Sequence, residues 1–167
     1  PEHLTRKFAT GLSFVDGAMG GQGFTPSSVT LFTGTPGAGK TTLMLTLADA
    51  ATKKGATVLF NTAEESLYQT AMTAKRLRLK HGFRAGNSAN ITEILDNART
   101  MMEQSTSDQF ILIIDSLQCL DDGMYKSGKI TSNTAIRCLE QITDFCKETG
   151  AMAIVINQVN KQGKMAG

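Results

Sequence analysis

Apolar positions along this chain alternate between two spacings, and the alternation predicts the architecture. Val29-Thr-Leu-Phe-Thr33, Thr57-Val-Leu-Phe-Asn61 and Ala151 to Ile156 are short runs rich in β-branched and aromatic residues, the pattern of strands. Phe110-Ile-Leu-Ile-Ile114 is apolar at every position, which predicts a strand buried on both faces. Between the runs the period lengthens to that of a helix. Lys40 to Lys54 carries Leu43, Leu47 and Ala51 on one face, about Ser66 to Lys80 carries Leu67, Ala71, Ala74 and Leu77, and Ile91 to Gln104 carries Ile94, Leu95, Ala98 and Met101. A last helix, capped by Thr131 or Ser132 and running to about Lys147, places Ala135, Cys138, Leu139, Ile142, Phe145 and Cys146 together. A weak strand is expected near Phe83. Strands alternating with helices predict a mainly parallel sheet covered by helices on both faces, the α/β class.

Composition narrows the picture. A chain of 167 residues holds one α/β domain, so residues 1–167 are expected to form a single core. Apolar residues make up 41% and charged residues 19%, which excludes collagen-like and largely disordered chains. With Lys+Arg 17 and Asp+Glu 15 the net charge is +2, so any polyanion site must come from a local cluster. Cys119, Cys138 and Cys146 are odd in number and form no C-x-x-C pair, and His3 and His81 stand at no metal-ligand spacing, so neither a disulfide framework nor zinc is expected. Cys138 and Cys146 fall on the apolar stripe of their helix, as core residues do. No apolar run reaches the roughly 20 residues of a bilayer crossing, and the charged opening has no signal-peptide core, so a cytoplasmic protein is expected. The chain begins at Pro1 without an initiator Met and is expected to be a piece of a longer protein.

The chemistry begins at Gly34-Thr35-Pro36-Gly37-Ala38-Gly39-Lys40-Thr41, a G-x-x-x-x-G-K-T segment between a predicted strand and a predicted helix. Glycines let successive N–H groups converge on a β-phosphate, and the helix N-terminus adds partial positive charge. Lys40 spans β- and γ-oxygens and the Thr41 hydroxyl ligates Mg²⁺. The cofactor-contacting stretch is thus Gly34, Thr35, Pro36, Gly37, Ala38, Gly39, Lys40, Thr41 and Thr42. A metal there needs a carboxylate at the end of a neighbouring buried strand, and Asp115 ends the apolar run Phe110 to Ile114. Hydrolysis requires a group to orient the attacking water. Glu64, just beyond the strand Thr57 to Asn61, is the candidate, with Glu65 beside it; two acids opening a helix would otherwise complement its dipole. Asn157-Gln158 end the last strand at the same edge, where an amide reaches a γ-phosphate.

Taken in order, the segments Thr10 to Gly23, Gly34 to Thr41, Leu59-Phe-Asn-Thr-Ala-Glu-Glu-Ser66, Ile113-Ile-Asp-Ser-Leu-Gln118 and Ile156-Asn-Gln-Val159 resemble the RecA-fold ATPases, most of all their bacterial RadA (Sms) branch. The resemblance covers nearly the whole chain. It implies a RecA-type P-loop core acting as a homo-oligomeric ring or filament, with ATP and Mg²⁺ as cofactors and turnover coupled to rearrangement of single-stranded or branched DNA in recombination or repair. Position by position it implies Lys40 and Thr41 as phosphate and Mg²⁺ ligands, Asp115 as the Walker B acid, Glu64 as the catalytic carboxylate and Gln158 as γ-phosphate sensor. It further implies that Asp121 to Thr131 and the tail from Val159 face DNA. The sequence carries neither the branch's four-cysteine zinc module nor its Lys-Asn-Arg-Phe-Gly motif, and Asn157-Gln158 is closer to the RecA pattern.

Both loops are suited to DNA by residue type. Tyr125, Lys126 and Lys129 in one, and Lys161 and Lys164 in the other, combine cations for phosphates with an aromatic ring for stacking. The denser cluster Lys75 to His81 reads as the solvated face of its helix. A GTPase is disfavoured because Asn160-Lys161-Gln162-Gly163 lacks the carboxylate that reads guanine, and no arginine-bearing lid marks a small-molecule kinase. A regulatory ATPase resembling the KaiC group, acting on proteins, and a nucleotide-gated oligomerisation module without DNA are the remaining alternatives.

Overall fold

Alternation within the strands assigns each apolar side chain to one of two cores. The computed structural model of the chain describes residues 6–12, 16, 23–34, 38–127 and 129–158. Strands β1 (Val29–Gly34), β2 (Thr57–Thr62), β3 (Arg84–Gly86), β4 (Phe110–Asp115) and β5 (Met152–Gln158) form one sheet. Its order is β1-β5-β4-β2-β3 and every pairing is parallel. Helices α1 (Ala38–Lys53), α2 (Leu67–Arg76), α3 (Ile91–Gln104) and α4 (Ser132–Thr149) connect and cover the strands. On one face Leu59, Leu112, Ile114, Ala153 and Val155 pack under α3 and α4; on the other Val58, Phe60, Ile111, Ile113, Ile154 and Ile156 pack under α1. All six residues of β4 are buried, as its uninterrupted apolar sequence predicts. Burying each such side chain stabilises the fold by about 1.5–3 kcal/mol. That exceeds the roughly 1–2 kcal/mol of backbone entropy lost per residue, so the central strand is held by side-chain burial as well as by its ladders.

Helix boundaries follow the caps. Asn90 accepts the Glu93 N–H at 3.0 Å to open α3, and Thr131 and Thr134 exchange backbone and side-chain bonds to open α4. Gly150, at φ 82°, closes α4 in the left-handed region. The helix expected to reach Lys80 stops at Arg76. There Leu79 donates to the Ala74 carbonyl and Arg78 to that of Lys75, a reversal that puts Arg78 at φ 59°. Glycine usually occupies that place, and its absence hides the stop from a sequence reading. Asp49 of α1 secures the turn by accepting the Lys80 and His81 N–H groups at 3.1 and 2.8 Å. Among the described residues no helix is long and apolar enough to cross a membrane.

Cys138 and Cys146 are fully buried in the core between α4 and the sheet. Burial pushes both thiols up to about 12 from the ordinary 9.0. The folded chain therefore holds these protons while the unfolded chain releases them, so stability is complete below pH 9 and falls as pH rises towards 12. Denaturant midpoints measured from pH 8 to 11 are expected to fall steeply in the natural chain, and less steeply in Cys146→Ala once its cavity cost at pH 8 is subtracted.

Candidate active site

The parallel sheet delivers the C-terminal ends of β1, β2, β4 and β5 to one edge, where ligands of open α/β sheets sit. β1 ends at Gly34, level with Gln158 in the β1–β5 register. Thr35, Pro36 and Gly37 lie outside the described residues, and Ala38 starts α1. At Gly39 an added Cβ would meet no atom of the described residues within 4 Å. A cavity of about 200 Å³ reaches this point, lined by Thr33, Gly39, Lys40 and Ile156. Lys40, Thr41 and Thr42 occupy the first turn of α1, half-buried. A larger, mainly apolar cavity of about 360 Å³ lies instead against α2, lined by Thr70, Ala71, Ala74, Leu79 and Phe83, and takes in none of the expected catalytic groups.

Asp115 ends β4 with 1% of its surface exposed. Its Oδ1 stands 3.5 Å from the Lys40 ammonium and has no hydrogen-bond partner among the described residues. Burial raises the Asp115 carboxyl above its ordinary value; Lys40 opposes the rise, and the Glu64 and Glu65 charges add to it. An orphaned, buried carboxylate oxygen beside an ammonium, with the Thr41 hydroxyl on the adjoining helix turn, is a fitting oxygen donor set for a hard divalent cation bound with phosphate.

Glu64 follows β2 and reaches across to β5. Its Oε1 accepts from Gln158 Nε2 at 2.6 Å, from Ser116 Oγ at 3.4 Å and from Cys119 Sγ at 3.5 Å. The competing reading, two acids complementing a helix dipole, fails on position. Ser66 caps α2 and the first turn of that helix contains no acid. Glu65 Oε2 is buried and has no hydrogen-bond partner among the described residues. Asp115 and Gln158 end β4 and β5, Glu64 follows β2 and Lys40 lies on the first turn of α1, and the four stand as two contacting pairs. Sequence reasoning singled out these four and passed over Ser116, Gln118 and Cys119. These three follow β4 in a short 3-10 turn (Leu117–Cys119 with Ser116 as its cap), and only the folded sheet brings Ser116 and Cys119 to Glu64 and Gln118 to β5.

Tyr125, Lys126 and Lys129 are exposed in the segment before α4. The base of that segment is pinned. Asp121 pairs with the strand-like stretch at Asn90, and Asp122 accepts two bonds from the Arg137 guanidinium, which holds its carboxyl below the ordinary range. Lys161 and Lys164 lie outside the described residues. In the Lys75 to His81 cluster the charged side chains are exposed, and His81 pairs with Asp49 at 2.9 Å.

The chain is similar to known proteins over most of its length. The model of the AAA domain family matches residues 22–127. The DNA repair protein RadA of Aquifex aeolicus is 33% identical over 159 residues, covering 95% of this chain and 34% of that protein. Its counterpart from Escherichia coli is 32% identical over 167 residues, covering 99% and 34%. The chain therefore spans about a third of the length of these relatives. Among solved structures, a DnaB-like replicative helicase superposes with a TM-score of 0.76 over 93% of this chain and 44% of the other, at 15% identity. The fold is that of RecA-like P-loop ATPase domains.

Proposed function

Because the chain belongs to the AAA domain family, we propose that it binds Mg-ATP at the sheet edge between Gly34 and Thr42 and hydrolyses it, with turnover coupled to DNA. The observation that carries the reading is the meeting of Glu64 with Gln158 at 2.6 Å beside the Lys40–Asp115 pair at 3.5 Å. Lys40 offers an ammonium to the β- and γ-phosphates, and the first N–H groups of α1 point to the same place. Asp115 and Thr41 would hold magnesium, which supplies charge neutralisation to the phosphates when bound. Glu64, exposed at the sheet edge, orients a water and accepts its proton. The Gln158 amide bonded to it sits at the strand end from which a γ-phosphate is sensed. Two strand ends, the residues just after β2 and the first turn of α1 position the four groups, so no loop closure is needed to bring these residues together.

DNA coupling rests on Tyr125, Lys126 and Lys129, exposed on a segment whose base is fixed by Arg137, and on the similarity to RadA. Lys161 and Lys164 belong to the same proposal. We also assign the chain a homo-oligomeric working form in the cytoplasm, as the ATPase core of a longer protein. ATPase rates measured with and without single-stranded DNA test the coupling. Stimulation is expected, and four lysine–phosphate contacts would give a log–log salt slope of about −3, roughly a fiftyfold loss of affinity between 50 and 200 mM salt. Indifference to DNA at every salt concentration would select the protein-regulating or assembly alternatives.

A further inference from the structure

Beyond Ile114 and Val155 the β4–β5 ladder has no further register pairs, although β5 continues to Gln158 along β1. The strand end that carries Gln158 therefore lacks backbone pairing on its β4 side. The side chain of Gln118 takes up that role. Its Oε1 accepts the Gln158 N–H at 3.0 Å, and its Nε2 donates to the Asn157 side-chain oxygen. One side-chain amide thus bonds two consecutive residues of β5, the backbone N–H of Gln158 and the side chain of Asn157. The second of these residues then donates to Glu64.

We propose that Gln118 is a positioning residue for hydrolysis: it replaces the missing rung of the sheet and so fixes the Gln158 amide against Glu64. The inference rests on the reading of Glu64 and Gln158 given above. Gln158 is 8% exposed, so its N–H has little water to turn to if Gln118 is removed. The strand end then shifts or frays, and the amide that meets Glu64 shifts with it. Lys40, Thr41 and Asp115 are held by α1 and β4 and stay in place.

The test replaces Gln118 with Leu, of similar volume, in the full chain. Exchange of the Gln158 backbone amide, followed by NMR, is expected to quicken at least about tenfold in Gln118→Leu. It should remain slow in Gln118→Glu, which keeps an acceptor for that N–H. ATP turnover by Gln118→Leu should fall about tenfold while affinity for a non-hydrolysable ATP analogue stays within about twofold, since a small misplacement damages chemistry before binding. Gln118→Leu added to Gln158→Ala should cost nothing further. Unchanged exchange, an equal fall in analogue affinity, or losses that add in the double variant each overturn the proposal. Full turnover by Gln158→Ala alone instead overturns the role given to Gln158 and removes the function assigned to Gln118 with it. That result is distinguishable because exchange in Gln118→Leu would still quicken.

Discussion

Glu64→Gln is expected to lower ATP turnover by about 10²–10⁴-fold, the range contributed by a positioned general base, while leaving nucleotide affinity within about threefold. The substitution keeps the length and shape of the side chain and an oxygen able to accept from Gln158 Nε2, Ser116 and Cys119, so the cluster stays assembled. What it removes is the charge that takes a proton from water. Phosphate release in steady state, together with titration of a fluorescent ATP analogue, separates the two quantities. Equal rates in Glu64→Gln and the natural chain would transfer the role to Glu65, whose buried Oε2 has no partner among the described residues.

Lys40→Ala should act on the other quantity. Hydrogen bonds to charged groups contribute about 1.5–3 kcal/mol each, so losing the ammonium from the phosphates weakens ATP binding by about ten- to a hundredfold. The same change strips Asp115 of the cation 3.5 Å from its Oδ1, leaving a buried carboxyl that burial has already raised. Titration with the fluorescent analogue measures the loss directly, without DNA and whatever the state of assembly. Unchanged affinity would refute nucleotide binding at this edge. The two variants form a contrast: Glu64→Gln keeps its affinity and loses turnover, whereas Lys40→Ala loses affinity.

Legibility in the sequence tracked how local each signal is. The G-x-x-x-x-G-K-T spacing and the carboxylate ending an apolar run are fixed by short stretches of chain; Gly34 ends β1, Ala38 opens α1 and Asp115 ends β4. The α3 boundaries could be read because the cap, Asn90, adjoins the apolar period. The end of α2 could not, because Arg78 adopts a positive φ that its type does not advertise, and the turn depends on Asp49 in another helix. Gln118 escaped for the same reason on a larger scale. Its partners lie 39 and 40 residues away on a strand that closes the sheet last, and nothing in Ser116-Leu-Gln-Cys119 announces them. Arg137, which fixes the base of the basic segment through Asp122, reads in sequence as an ordinary helix surface residue.

The sheet order has a consequence for how the molecule comes into being. β5, the last strand in the chain, lies between β1 and β4, so Val29 meets a partner only when Ala153 arrives. During synthesis β2, β3 and β4 can assemble beforehand, but the strand leading into the phosphate loop has nothing to join until more than a hundred further residues have emerged. Contacts of such long range form slowly. ATP therefore cannot template the early stages of folding, and a ribosome-bound chain halted before Met152 would hold Asp115 and Lys40 on pieces not yet joined by the sheet.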